Sequence, residues 1–205
     1  VAITNGGDVT LVDTNGIVLS GATVGGTYDV TAGTFITVGG QVVAANVDLD
    51  ASAGAGAITD TGTGNLTVTG TTTLAAGVGD AITFDALDNE IATLAITSGG
   101  NVVIDDNSGG IVLNASTVSG TLDVTTAGTI TQGGALSVNA GTATFDAGGT
   151  NATANAITLD NSSNDFQTLV ISQGGDVVVE DSNALALQGT ASGTLAVSYT
   201  HLTLP

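Results

Sequence analysis

The sequence predicts an all-β protein that folds as a parallel β-helix, a β-solenoid with coils of about 18–20 residues. Three observations support this fold class. The chain consists of short β-rich runs separated by turn residues, it contains a long internal repeat, and it has almost no large side chains.

The β-rich runs are short and are rich in Val, Ile, Leu and Thr. Residues 9–11, 36–38, 102–104 and 177–179 are examples, and each has Gly, Asn or Asp on at least one side. Alternation of such runs with turn residues is typical of strands. No segment carries the apolar spacing of an amphipathic helix. The local pattern is therefore β throughout.

A long repeat distinguishes a solenoid from other β folds. Residues 82–97 return at 157–172, and Gly99-Gly100 returns with the same 75-residue offset. An earlier copy contains Gly6, which precedes Gly99 by a 93-residue offset. The difference between the two offsets corresponds to about one coil. A solenoid tolerates the loss of a coil because each coil contacts only its neighbours, whereas a tandem β-sandwich would lose two strands of its sheets.

The composition supports the same choice. Trp is absent, and the chain has only two Tyr and four Phe. The narrow interior of a solenoid can be filled by stacked Val, Ile, Leu and Ala, whereas sandwich cores usually need larger inward side chains. We expect an inward ladder that includes Ile96, Val103, Ile111 and Leu113. Val103→Asp is accordingly expected to disrupt several coils.

The domain organisation has two parts. Residues 1–197 are expected to form the solenoid repeat region. Residues 198–205 contain the sole His, His201, and the sole Pro, and they look like translated adapter or vector sequence. We expect them to be a non-native or disordered tail, with a genuine domain boundary as the alternative. Because residue 1 is Val and no capping helix is visible, the chain is expected to be an uncapped fragment.

The charge excludes several classes of partner. Lys+Arg is 0 and Asp+Glu is 19, a formal net charge of −19. Nucleic acids and anionic membrane surfaces are bound through Lys and Arg, so neither is expected as a partner. A phosphate-binding P-loop also needs a Lys. Cys is 0, which removes disulfides, thiol nucleophiles and Cys-ligated metals.

No catalytic site is predicted. A Ser-His-Asp triad would have to use His201, inside the expected tail. The Asp105-Asp106 and Glu180-Asp181 pairs lie one 75-residue repeat apart, so we place them four coils and roughly 19 Å apart. That separation exceeds the distance between the two carboxylates of a glycosidase. We interpret them as solvated turn carboxylates. Loss of polysaccharide turnover on mutating Asp160 or Asp165 would contradict this interpretation.

No cofactor is predicted, although calcium is the ion that the acidic composition favours. Asp85, Asp88 and Glu90 are close enough in sequence to share an ion. Residues 77–80 resemble a calcium β-roll motif, but the resemblance occurs once and that motif normally recurs.

Thr-x-Thr pairs, which can bind ice when they recur in every coil, begin at irregular positions here: Thr67, Thr71, Thr129 and Thr142.

The repeats at residues 93–116 and 168–187 resemble the passenger stalks of filamentous-haemagglutinin-like adhesins of type V secretion. The resemblance covers residues 1 to about 197, but the secretion domain of that family has no counterpart here. It implies a right-handed, non-enzymatic β-helix on or released from a Gram-negative surface, which crosses an outer-membrane transporter and attaches to glycans or proteins of host or neighbouring cells. The alternatives are an acidic surface-layer or matrix protein that assembles with calcium and, less favoured, a polysaccharide-acting β-helix enzyme.

Overall fold

The chain forms a stack of short parallel strands. The structure, a computed structural model, describes residues 1–107, 109–149 and 153–199. Among these residues, no helix is long and apolar enough to cross a bilayer. The strands are β1 (Ala2–Asn5), β2 (Val9–Asp13), β3 (Ile17–Leu19), β4 (Gly21–Val24), β5 (Thr27–Ala32), β6 (Ile36–Val38), β7 (Val42–Ala44), β8 (Asn46–Asp50), β9 (Ile58–Asp60), β10 (Leu66–Ala75), β11 (Ile82–Phe84), β12 (Glu90–Ser98), β13 (Val102–Asp106), β14 (Gly110–Leu113), β15 (Ser116–Thr117), β16 (Leu122–Thr126), β17 (Thr129–Gln132), β18 (Leu136–Asp146), β19 (Ile157–Leu159), β20 (Asp165–Gly174), β21 (Val177–Asp181), β22 (Ala186–Ala191) and β23 (Leu195–Tyr199).

These strands make two parallel sheets that run along a common axis. Sheet A has 13 strands and sheet B has 10. Most strands away from the two ends pair with a strand one turn earlier and one turn later, as β11 does with β9 and β13. Ten strands of sheet A form a continuous series of neighbours from β1 to β23, which corresponds to about ten turns. The predicted β-solenoid is therefore confirmed.

The turns are less uniform in length than predicted, and some are longer. In sheet B, Leu169 and Leu187 are paired Cα neighbours, which gives that turn the expected length. Ala143 and Leu169 are also paired, which makes the preceding turn nearly half as long again. The extra residues lie between strands, for example between the end of β18 at Asp146 and the start of β19 at Ile157. The pairing of β18 with β20 shifts register between Val138 and Thr142 and between Phe145 and Asp146 but continues on both sides, so a longer turn does not interrupt the stack.

The core is a single apolar column inside the turns. Successive strand residues alternate between buried and half-exposed, as in β13, because side chains point to opposite faces of a strand. Ile96, Ile111 and Leu113 are buried as predicted. The prediction that Val103 belongs to the inward ladder was wrong. Val102 and Ile104 are the buried residues of β13, and Val103 lies between them on the outer face.

A repeat copy does not contain a whole number of turns; it ends half a turn beyond one. Val9, Val102 and Val177 are equivalent residues of the three copies, but Val9 and Val177 lie in sheet A and Val102 lies in sheet B. The 93-residue copy therefore contains four and a half turns, and the 75-residue copy three and a half. Their difference is one turn, as the sequence predicted.

The expected boundary between residues 197 and 198 falls within a strand. Ser198 and Tyr199 belong to β23 and pair with Glu180 and Asp181 of β21. Residues 200–205, including His201, lie outside the described residues.

Candidate functional site

Repeated polar corners join one turn to the next. Asp8 Oδ1 accepts a hydrogen bond from the Thr27 backbone N–H one turn later, at 2.8 Å. The equivalent corners of the later copies have the same contact. It is 3.0 Å from Thr121 N to Asn101 Oδ1 and 2.7 Å from Thr194 N to Asp176 Oδ1. Asn46 Oδ1 makes a fourth such contact, with Thr71 N at 2.9 Å. An Asp or Asn side chain at the corner thus replaces a missing ladder hydrogen bond.

Glycine precedes each of these threonines because the acceptor oxygen lies close to its Cα. A Cβ on Gly26, Gly120 or Gly193 would overlap the Oδ1 of the Asp or Asn one turn below. The corner therefore requires both members of the pair, the polar side chain and the glycine above it.

A second set of polar residues is buried where strands begin. Asn89 Oδ1 accepts from Leu66 N at 2.9 Å, and its repeat equivalent Asn164 accepts from Leu136 N at the same distance. Both side chains are fully buried. Their amides donate to carbonyl oxygens, for example Asn89 Nδ2 to Ala86 O at 3.0 Å. These side chains satisfy buried backbone groups, which would otherwise cost about 1–3 kcal/mol each.

One carboxylate of each pair that was predicted to be solvated is buried. Asp106 and Asp181 are each 3% exposed. Asp106 Oδ1 accepts from Ile91 N at 2.8 Å, and Asp181 Oδ1 accepts from Phe166 N at 2.9 Å. Each carboxylate caps the first residues of a strand on the preceding turn. The solvated interpretation was therefore wrong for these two, whose side chains face inward.

Their outward neighbours, Asp105 and Glu180, are half-exposed and do not meet. Asp105 lies on sheet B and Glu180 on sheet A. The pairs are separated by three and a half turns rather than four, which is about 17 Å along the axis. The structure does not bring together a pair of carboxylates from the two motifs.

The three acidic residues considered for calcium are also divided between faces. Asp85 follows β11 of sheet B, Asp88 lies in the exposed turn, and Glu90 begins β12 of sheet A. In the described part of the chain, no group of three or more His, Cys, Asp or Glu side chains is placed to hold a metal ion. Asp85, Asp88 and Glu90 are close in sequence, but the chain turns a corner between them and the structure does not bring them together around one ion.

The other candidates occupy turns and strand ends. Residues 77–80 form a tight turn in which Asp80 N donates to Gly77 O at 2.9 Å. Asp160 is exposed after β19. Asp165 begins β20, where its Oδ1 accepts from Asn183 Nδ2 at 2.8 Å. Asp165 Oδ2 also accepts from Asn139 Nδ2 of the preceding turn at 3.3 Å, so its carboxylate joins three successive turns.

The outward carboxylates form two groups. Within each group, the carboxylates lie near one another on neighbouring strands. Acidic cluster 1 lies on sheet A, where Asp29 and Asp48 are directly paired Cα neighbours. Acidic cluster 2 lies on sheet B. The members are Asp29, Asp48 and Asp50 for cluster 1, and Asp85, Asp105, Asp123 and Asp146 for cluster 2.

Burial and like charge both act on these groups. Partial burial raises the pKa of Asp48 above 3.8, and the charges of Asp29 and Asp50 raise it further. Partial burial also raises the pKa of Asp105 and of Asp123, and the Asp146 carboxylate adds to both shifts. Like charges opposite one another in a sheet are destabilising, and no Lys or Arg exists in the chain to offset them.

The remaining outer surface of the sheets contains two long rows without charge. Uncharged row 1 lies on sheet B and consists of Val18, Thr37, Thr59, Thr83 and Val103, each paired with the next. Uncharged row 2 lies on sheet A and consists of Thr71, Thr93, Val112, Thr131, Thr158, Val178 and Ala196. The irregular threonine spacing in the sequence concealed this alignment, because the turns differ in length.

Comparison with protein families identifies the repeat. A family described as repeats of unknown function (DUF5649) matches residues 6–55, 36–98 and 99–173. The chain belongs to the DUF5649 repeat family. The 99–173 match coincides with the three-and-a-half-turn copy that begins at the corner of Gly99 and ends just before that of Gly174. No curated protein and no solved structure matches this chain.

The corner residues of DUF5649 are the part that sequence reasoning missed. The recurrence of Asn89 as Asn164, and of Asp106 as Asp181, was available from the 75-residue offset. That signal indicates a structural role, but only the register of neighbouring turns shows which backbone groups these side chains bind.

Proposed function

We propose that this chain is a structural, non-catalytic segment of a large exported bacterial surface protein of the adhesin type. The observation that carries the proposal is the uninterrupted parallel stack of about ten turns. With about 4.8 Å between turns, the stack is a rod of roughly 48 Å. Such a segment holds a distal binding region away from the cell.

The modular build supports a spacer role. Contacts run almost entirely between a turn and its immediate neighbours, as in the pairing of β13 with β11 and β16. Addition of further DUF5649 copies would lengthen the rod without redesign of its core. The chain resembles the stalks of filamentous-haemagglutinin-like adhesins of type V secretion, which have this construction.

The composition supports an extracellular setting. The chain has no Cys, so it can cross an outer-membrane transporter unfolded without premature disulfide formation. It has no Lys or Arg, so trypsin-like proteases find no cleavage site. The proposed partners are glycans or proteins of host or neighbouring cells, together with the transporter during export.

Surface location is tested on intact cells of a bacterium that carries the gene. An antibody raised against this chain is used to follow its loss during treatment with proteinase K, which cleaves without a basic residue. The expected result is loss of the signal from unbroken cells while a cytoplasmic marker is retained. Trypsin is the matched control, because it should leave the segment itself uncut. A signal that disappears only after lysis contradicts the proposal.

The stalk role is tested by deletion within the full-length protein. Removal of residues 99–173 shortens the rod by three and a half turns, about 17 Å. We expect surface display to persist and adhesion to host cells to weaken by less than on removal of the whole protein. Complete loss of adhesion with normal display would instead place the receptor site within this repeat and contradict a spacer role.

A further inference from the structure

We infer that the corner formed by Asp60 and Asn89 is a proton-binding site that makes the contact between two neighbouring turns sensitive to pH. Asp60 Oδ1 carries a proton and donates it to Asn89 Oδ1. Loss of that proton loosens the corner. This property goes beyond a spacer role, because it gives one place in the rod a response to its surroundings.

Asp60 has one carboxylate oxygen that is satisfied and one that is not. It ends β9 at an inward position, since its paired residue Val38 is buried. Its Oδ2 accepts from Ala86 N at 3.0 Å and from Asn89 Nδ2 at 3.4 Å. Its Oδ1 is buried, and no donor among the described residues reaches it. A buried carboxylate oxygen without a donor is costly.

The second repeat copy has the same corner with a neutral side chain. β17 pairs with β19 as β9 pairs with β11, so Gln132 at the end of β17 has the place of Asp60. Gln132 Oε1 accepts from Asn161 N at 3.2 Å and from Asn164 Nδ2 at 3.1 Å, which are the equivalents of the two bonds to Asp60 Oδ2. Gln132 Nε2 in turn donates to Asn164 Oδ1.

This equivalence identifies what Asp60 Oδ1 lacks. Since Asp60 Oδ2 makes the bonds of Gln132 Oε1, Asp60 Oδ1 corresponds to the donor Nε2. An ionised Asp60 would therefore direct a second acceptor at the Asn89 carboxamide oxygen, and two acceptors repel. A proton on Asp60 Oδ1 supplies the donor, because a protonated carboxyl has one O–H. Asn89 then has the same set of partners as Asn164.

The charges around this corner are all negative. The titratable groups on the surrounding elements are Asp85 and Asp88 in the loop after β11, and Glu90 at the start of β12. Neither β6, β10 nor residues 61–65 carry a titratable group. Burial raises the pKa of Asp60 above its ordinary 3.8, and the Asp85 carboxylate adds to this effect, whereas hydrogen bonds to Asp60 only partly offset it.

The raised pKa determines the direction of the pH response. The contribution of Asp60 to stability is complete below about 3.8, where the unfolded chain is protonated as well. It is lost as the pH rises towards the raised pKa and changes no further above that value. The corner is therefore closed at mildly acidic pH and loosened when Asp60 ionises.

NMR of the full chain measures the proton directly. The carboxyl carbons of Asp60 and of the exposed Asp88 are followed from about pH 3 to about pH 9. We expect Asp60 to titrate at least about one pH unit above Asp88. Hydrogen exchange in the same range should show that protection of the Leu66 N–H, which donates to Asn89, falls relative to that of the Leu136 N–H, which donates to Asn164 in the neutral corner.

Two substitutions exchange the chemistry of the two corners. Asp60→Asn supplies an amide donor in place of the proton, so its urea midpoint should match that of the parent chain at about pH 3.5 and exceed it at about pH 8. Gln132→Glu should make the second corner lose stability as the pH rises, as the first does. Asp88→Asn is the matched control and should leave the pH dependence unchanged. If a variant does not fold, the NMR titration of the parent chain decides alone.

Three results would overturn the inference. One is an Asp60 carboxyl that titrates together with Asp88. Another is an Asp60→Asn variant with the same pH dependence as the parent chain. The third is stabilisation of the parent by calcium chloride at matched ionic strength that Asp60→Asn abolishes, because a cation would then join the two oxygens in place of a proton.

Discussion

Val102 and Val103 are adjacent, apolar and in one strand, yet only Val102 contributes to the core. Val102 is fully buried between Ile82 and Leu122 of the neighbouring turns. Val103 lies on the outer face between Thr83 and Asp123. The strand alternation, and not hydrophobicity, determines which of the two residues the fold requires.

The pair gives a direct test of this alternation. Val102→Asp should lower the free energy of unfolding by more than about 4 kcal/mol, since it buries a carboxylate without a cation. Val103→Asp should cost about 1 kcal/mol or less, although it adds a charge beside Asp123. Urea denaturation of both variants measures the difference. Equal destabilisation would mean that Val103 faces the interior.

The sequence supplied the fold class, the repeat and its one-turn difference, but not the phase of individual strands. The run Val102-Val103-Ile104 is apolar throughout, so its periodicity cannot show which residues face inward. The following Asp105-Asp106 pair has the same ambiguity, and the buried member is Asp106. Turn length was underestimated because corner loops carry no periodic signal. The corner contacts were unpredictable because they join residues a whole turn apart.

At the scale of a turn, the corners and the outer carboxylates have opposite effects on stability. The corner at Asn101 and Gly120 adds a hydrogen bond between turns, because Asn101 Oδ1 accepts from Thr121 N at 3.0 Å. The acidic clusters add repulsion between turns. Each effect can be isolated by substitution.

Gly120→Ala should destabilise the rod by about 1–3 kcal/mol, because the new Cβ would overlap the Asn101 carboxamide oxygen and the backbone of Gly100. Gly62→Ala is the matched control. A Cβ there meets nothing within 4 Å, so the change should be neutral or slightly stabilising. Thermal melts compare the two. A Gly120→Ala variant as stable as the control would show that the corner can open without cost.

The acidic clusters predict greater stability at mildly acidic pH. The pKa values of Asp48, Asp105 and Asp123 are raised in the folded chain, so the folded state binds these protons more tightly than the unfolded state does. Stability should therefore rise as the pH falls from 7 through these raised values, and level off near the ordinary value of 3.8. Chemical denaturation across this range measures the effect.

Variants assign this pH dependence to cluster 2. Asp105→Asn/Asp123→Asn should raise stability at pH 7 and reduce its gain on acidification, because two repelling charges are removed. Asp88→Asn removes an exposed turn charge outside the clusters and should change neither quantity appreciably. Stability that instead falls steadily from pH 7 to pH 4 in the parent chain would contradict the prediction.

For the whole molecule, the half-turn offset predicts the outcome of removing one repeat. Deletion of residues 99–173 joins Ser98 to Gly174 and preserves the Gly-Gly corner that follows β12. The strand β21 should then take the place of β13 on sheet B, which brings Val178 opposite Thr83. In the intact chain Val178 lies on sheet A, several turns away.

A disulfide can report this exchange, because the chain has no Cys of its own. Thr83→Cys/Val178→Cys should oxidise readily in the deletion variant, since paired Cα atoms in neighbouring strands lie within the roughly 4.4–6.8 Å that a disulfide spans. The same two cysteines in the intact chain are the control and should stay reduced. Absence of the bond from a folded deletion variant would show that β21 had kept to sheet A.

Because of the half-turn offset, an odd or even change in the number of repeat copies determines which side the rest of the rod presents. A gene that gains or loses a single copy changes the length of the rod and also turns everything beyond that point through half a revolution. A second such event restores the original aspect at a new length. The longer and the shorter copy both have the half-turn offset. Recombination between repeats can therefore produce two forms of the rod that present different sides, without any substitution on either surface.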